Sequence, residues 1–195
     1  MSKKQALDDI KSDILLHLKC PLKDAAQNLV FGKGNISASI MFIGEAPGAK
    51  EDAQGIPFVG SAGKRLNQLL ESIGLTLDDV YIANILKYRP PKNRNPNTQE
   101  IMNHTPYLVR QIMVIKPKVI IPLGNFATKF VLSGFSCNSM NAIGGISEIH
   151  GTIHKVAYEG VTFTVMPSYH PAAMLYRPKL REIIEKDFLE AKKII

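Results

Sequence analysis

Residues 5 to 18 place Leu7, Ile10, Ile14, Leu15 and Leu18 on one face at helical spacing, so the chain opens with an amphipathic helix. Four short apolar runs follow: Ile40 to Ile43, Val80 to Ala83, Val119 to Leu123 and Val161 to Met166. Each has strand length and several are rich in β-branched residues, the pattern of buried strands. Helical patterns lie between them. Ser61 precedes Leu66, Leu69, Leu70 and Ile73, with Gly74 as a stop. Asn97 with Glu100 three residues later forms a capping box, and Asn125 caps a helix running through Leu132. Pro106 divides Thr98 to Ile115 into two helices with Thr105 as the second cap, because proline removes a helical donor. Leu180, Ile183, Ile184 and Phe188 mark a closing helix. The stretch from Ser133 to Tyr158, with Gly144, Gly145 and Gly151, is poor in helical pattern and reads as a loop plus an extra strand pair.

Alternation of this kind implies a largely parallel sheet covered by helices, since parallel strands need a helical crossover. At 195 residues the chain fits one domain, taken here as 1–195, with a core large enough to need neither disulfides nor metal. The excess of 24 Lys+Arg over 17 Asp+Glu, a net charge of +7, adds nucleic acid as a candidate partner without requiring one. Cys20 and Cys137 are far apart and form no C-x-x-C pair, which argues against a disulfide scaffold or a redox site. No apolar run approaches a membrane span and the N-terminus lacks a signal-peptide core. The expectation is an intracellular protein, cytoplasmic or nucleoid-associated, that does not meet a membrane.

In open α/β sheets ligands bind beyond the carboxyl ends of the strands, so the residues after each strand are the first candidates. They are Gly44-Glu45-Ala46-Pro47-Gly48, Asn84, Gly124-Asn125 and Pro167-Ser168-Tyr169-His170-Pro171. One edge therefore collects a carboxylate, a carboxamide and an imidazole. Singly, each has an ordinary explanation as a turn or loop residue; together they describe a site. GEAPG fits neither the dinucleotide-binding nor the P-loop glycine pattern.

GEAPGAKEDAQGIPFVGSAGKRL (Gly44 to Leu66), YIANILKYRPPKNRNP (Tyr81 to Pro96), IKPKVIIPLG (Ile115 to Gly124) and PSYHPAAML (Pro167 to Leu175) resemble, in order, the successive motifs of family 4 uracil-DNA glycosylases. The resemblance implies a three-layer α/β/α fold around a four-stranded, mainly parallel sheet, and monomeric action on uracil-containing DNA, single- or double-stranded. It also implies a uracil pocket of Glu45, Ala46, Glu51, Phe58, Asn84 and His170. In that reading Phe58 stacks on the flipped base. Asn84 accepts from N3–H and donates to O4, which cytosine cannot match. His170 donates to the uracil O2 as negative charge develops, and Glu45 or Glu51 stabilises the cationic sugar or positions water. Core packing is the alternative role for Phe58, and Glu51 can be only a helix N-terminal carboxylate, a role Asp52 claims as well.

The resemblance also places an apolar wedge at Met174 or Leu175, which core packing would explain too. Arg177, Lys64, Arg65, Lys87, Arg89, Lys92 and Arg94 are candidates to meet phosphates, with Ser61 or Gly63 donating backbone hydrogen bonds at a helix start. One departure is plain. Where the family carries four cysteines around an iron-sulfur cluster, this chain has His17, Cys20, Tyr88 and His104, so no cofactor is expected and the cluster is read as lost. Zinc on His17, Cys20 and His104 stays open as the alternative. So do two other functions: a catalytically silent uracil- or DNA-binding module, and a hydrolase acting on a free nucleotide or nucleoside.

Overall fold

In the computed structural model, which describes residues 1–195, the four apolar runs form the sheet they predict. Strands β1 (Lys33–Gly34), β2 (Ile40–Gly44), β3 (Val80–Asn84), β4 (Val119–Pro122), β5 (His154–Tyr158) and β6 (Val161–Val165) stand in the order β1-β3-β2-β4-β6-β5. The inner strands β3, β2, β4 and β6 are parallel, as the alternation requires. The count of four needs correction, because β1 and β5 pair antiparallel at the two edges and make a mixed sheet of six. β1 is two residues long and β5 alternates in exposure, so neither presents an apolar run.

Helices α1 (Lys3–His17), α2 (Pro21–Ala25), α3 (Ala49–Gln54), α4 (Ser61–Ser72), α5 (Thr98–Ile115), α6 (Gly124–Leu132), α7 (Ile146–Ile149) and α8 (Leu180–Lys192) cover the sheet. Residues alternate across a strand, so the sheet feeds two cores. Met41, Ile43, Tyr81 and Ile120 pack with Ile10, Ile14, Leu108, Ile112 and Phe130 on one face. Ile40, Phe42, Ile82 and Ile121 pack with Leu66, Leu69, Leu70, Ile184 and Phe188 on the other. The result is the expected three-layer α/β/α architecture.

Several local expectations fare differently. The Asn97–Glu100 capping box forms in both directions. Pro106 does not divide its helix: α5 runs unbroken, and Thr105, rather than capping, donates its hydroxyl to the Ile101 carbonyl. Pro106 lies on the exposed side, where the Met102 carbonyl that loses its partner can meet water. Asn125 lies inside α6 and accepts from the Ile146 amide instead of capping. In α1, Leu15 points outward at 49% exposure, and Leu18 is buried only after the helix has ended. Ile183 is likewise on the exposed side of α8. The segment from Ser133 to Tyr158 holds a 3-10 turn, α7 and β5 in place of a loop with its own strand pair.

Candidate active site

The chain leaves β2 for β3 on one side and returns to β4 on the other, so β2 and β4 flank a topological switch point, where open α/β sheets hold ligands. Gly44 and Asn84 are register partners at the carboxyl ends of β2 and β3, and Leu123 pairs with Ser168 beyond β4 and β6. This register brings Glu45, Asn84 and His170, spread over most of the sequence, to one rim. They line a cavity of about 480 Å³ with Ala46, Pro47, Gly48, Glu51, Phe58, Ala62, Pro90, Asn93, Arg94 and Ala172. All six pocket residues expected from the sequence are therefore together.

Two glycines shape the cavity by having no side chain. A Cβ on Gly44 would fall 2.3 Å from Asn84 Oδ1 and 2.9 Å from the Phe58 ring. A Cβ on Gly63 would fall 1.9 Å from the Phe58 carbonyl oxygen. Phe58 adopts φ 52°, the left-handed region that is costly for a bulky residue. Close approach of α4 at Gly63 and the Lys33 ammonium donating to the Phe58 carbonyl at 3.0 Å hold it there. Phe58 is both core and pocket wall, 6% exposed, with its ring 5.8 Å from that of His170.

The two glutamates are distinguished by their partners. Glu51 Oε1 accepts the backbone amides of Val59 and Gly60 at 2.9 and 2.7 Å, so this carboxylate organises the entry to α4. Asp52, buried, instead ties down the preceding loop by accepting from the Gln27 and Asn28 amides. The Glu45 carboxylate makes no hydrogen bond within the chain, and burial raises its pKa above the usual carboxylate range. It is the free acid-base group of the cavity.

His170 is tuned in a different way. Burial lowers its pKa from 6.5 to about 4, so the ring is neutral near pH 7. Its Nδ1 accepts the Ala172 amide at 3.2 Å. A neutral imidazole that accepts at Nδ1 carries its proton on Nε2, which leaves Nε2–H as a donor. Gly124 permits this placement, since a Cβ there would lie 2.9 Å from the His170 Cβ.

Around the rim the sequence-level candidates separate. Ser61 is exposed at the first turn of α4, whereas Gly63 is buried and packs against the Phe58 carbonyl. Met174 is 7% exposed and belongs to the core under α4 and α8, so it is not available as a wedge. Leu175 at 43% and Tyr176 at 85% are exposed beside Arg177, also exposed. Tyr176 was not among the candidates, and an aromatic flanked by Leu175 and Arg177 was the only signal for it. Lys64 and Lys92 are exposed, Arg89 bonds Asn93, and Arg65 bonds Gln68. Arg94 lines the cavity while paired with Glu100.

Lys87 is a correction. It is fully buried, its ammonium donating to the Asn84 carbonyl at 2.8 Å, and burial lowers its pKa to about 7. It meets no phosphate; it braces the strand end that carries Asn84.

The four positions of the family's cluster do not fit such a group. His17 is exposed at the end of α1, Cys20 is the only thiol, and Tyr88 meets His104 edge to face at 6.2 Å between ring centroids. His104 Nδ1 donates to the Glu100 carbonyl at 2.7 Å and its Nε2 is buried without a partner. One thiolate cannot hold four irons. Nor do His17, Cys20 and His104 assemble for zinc: the fold contains no group of three or more His, Cys, Asp or Glu able to hold a metal ion. No helix is long and apolar enough to cross a membrane.

Known proteins are similar to this chain over almost its whole length. The profile of the uracil DNA glycosylase superfamily matches residues 31–192, and the chain belongs to that superfamily. Within it, the chain is 47% identical over 184 residues to a type-4 uracil-DNA glycosylase of Archaeoglobus fulgidus, covering 94% of this chain and 90% of that one. Type-4 enzymes of Sulfurisphaera tokodaii and Saccharolobus solfataricus are each 43% identical over 190 residues, covering 97% of this chain and 84% and 86% of theirs.

Proposed function

We propose that this protein is a DNA-repair glycosylase that extrudes uracil from DNA and hydrolyses its N-glycosidic bond, leaving an abasic site. The observation that carries the proposal is the pairing of a neutral His170, its proton on Nε2, with an unbonded Glu45 across a cavity floored by Phe58 and Asn84. The type-4 relatives bear this activity in their names, and the match extends to nearly their full length.

The reaction follows from these groups. The flipped uracil stacks on Phe58, and the Asn84 carboxamide accepts from N3–H and donates to O4. Cytosine presents the opposite polarity at both atoms and would leave buried groups unpaired, which costs about 1–3 kcal/mol each. As the bond from C1′ to N1 lengthens, its electron pair moves to the base and O2 becomes negative. His170 Nε2–H donates to that oxygen without having to lose its own proton. Glu45, its basicity raised by burial, orients water toward C1′ and takes the proton released as the new C–O bond forms. Glu51 acts through structure, holding the loop from Val59 to Gly60.

The DNA strand crosses the rim, with a phosphate at the exposed start of α4 near Ser61 and with Leu175 filling the space the base vacates. Arg177 and Lys64 supply charge to the backbone. The enzyme acts as a monomer and without an iron-sulfur cluster. Incubation with single- and double-stranded oligonucleotides carrying one uracil, followed by alkali, tests the reading. Cleavage at the uracil with release of the free base is expected. An intact oligonucleotide at high enzyme concentration would leave only a binding module, and release of uracil from deoxyuridine alone would make it a nucleoside hydrolase.

A further inference from the structure

Behind the loop that carries His170, side chains from two separate segments converge on one carboxylate of a third. Asp187, on α8, is 5% exposed. It accepts the Ser168 hydroxyl at 2.7 Å, and the His150 Nδ1–H at 3.1 and 3.2 Å. Ser168 is fully buried, two residues before His170. The His150 ring in turn supports Tyr169, the next residue, with centroids 4.8 Å apart. Gly151 closes the arrangement. Its amide donates to the Pro167 carbonyl at 2.8 Å, and a Cβ there would fall 2.5 Å from Asp187 Oδ1.

Strand pairing already fixes the Ser168 backbone, whose amide donates to Pro122 and whose carbonyl accepts from Gly124. It does not fix the roll of the chain as it leaves the sheet toward His170. The hydroxyl bond to Asp187 and the His150–Tyr169 contact do, from the two residues that immediately precede it. A carboxylate buried at this depth costs desolvation, and an apolar residue would anchor α8 without that cost. What the apolar residue could not do is hold Ser168 and His150 at once.

We infer that Asp187 is a positioning residue for uracil excision, fixing through Ser168 and His150 the strand end that aims His170 Nε2–H at the departing base. The inference rests on the glycosylase reading, and it reaches the reaction only through His170. Asp187→Asn, close in volume, and the milder Ser168→Ala are the variants, each made in the wild-type and in a His170→Ala background. Single-turnover cleavage of a uracil oligonucleotide is measured beside the melting temperature and the affinity for the same DNA.

A misplacement of the order of 1 Å at a reacting group slows catalysis by up to about 100-fold, so losses of roughly 10- to 100-fold are expected for Asp187→Asn, with affinity and melting little changed. In the His170→Ala background the same substitutions should add less than about twofold, because the group they orient is gone. Equal losses in both backgrounds, or no loss, would overturn the inference. The nitrogen and proton resonances of the His170 ring give a readout that needs no turnover. They should shift in both variants. Unmoved ring signals would sink the role of Asp187 even if the wild type released no uracil, an outcome that would by itself defeat the glycosylase reading.

Discussion

Replacing His170 by Asn isolates the hydrogen bond on which the reaction is proposed to turn. The Asn carbonyl oxygen stands near the place of Nδ1 and can still accept the Ala172 amide, so the loop keeps its 3.2 Å bond while the donor at Nε2 disappears. Loss of one preorganised donor to a developing oxyanion costs about 10²- to 10³-fold in rate, or about 3–4 kcal/mol. The structure also fixes how this loss depends on pH. With a pKa of about 4, only about 1% of His170 rings are charged at pH 6, against about three quarters for an imidazole at 6.5. The wild-type to variant ratio of single-turnover rates should therefore stay constant from about pH 5.5 to about pH 7.5, about one unit either side of an ordinary imidazole. Affinity for uracil-containing DNA, followed by fluorescence anisotropy, should change far less than the rate. An inflection of the ratio near 6.5 would mean that a charged His170 does the work. Equal losses in affinity and rate would mean that His170 is scaffold.

Acid should destabilise the fold in a defined window. Burial lowers His104 from 6.5 to about 4, so the unfolded chain binds protons first, and stability that is complete above 6.5 is lost as pH falls toward 4. For His104 the loss reaches about 2 kcal/mol by pH 5; urea unfolding of His104→Leu should show a shallower pH dependence, and parallel curves would refute the cause. Gly63→Ala drives a methyl group to 1.9 Å from the Phe58 carbonyl, so it should lower stability by about 1–3 kcal/mol and activity beyond what that loss explains. Thermal melting and oligonucleotide cleavage both near wild type would contradict that account of the Phe58 turn. Protein purified without chelators should be colourless and free of stoichiometric iron, and Cys20→Ser should fold and cut; about one cluster per chain by metal analysis, or collapse on metal removal, would show otherwise.

How much of this was legible in the chain differs from element to element. The four inner strands could be read because each is a continuous apolar run, and the Asn97 cap because its partner Glu100 is three residues away. The residues that follow those strands could be nominated for the site, since a parallel sheet gathers its strand ends at one rim. The edge strands could not be read, being too short or too polar to stand out against loop. Pro106 misled because the rule against helical proline assumes a lost bond that nothing replaces, while here the orphaned carbonyl lies on the exposed side.

Sequence determined the strand periodicities, the Asn97 cap and the order in which Glu45, Phe58, Asn84 and His170 occur, because these depend on the residue itself and on neighbours a few residues apart. Tertiary structure alone decided which long side chains turn inward. Lys87 reads as one more basic residue, yet its ammonium ends on the Asn84 carbonyl; Met174 and Leu175 are adjacent and apolar, yet one is core and the other exposed. It alone separated Glu45 from Glu51, by giving Glu51 two amides and Glu45 none. The reason is physical: burial, desolvation and hydrogen-bond partners come from segments distant in the chain, and they set the direction and the charge of a side chain only once those segments have packed around it.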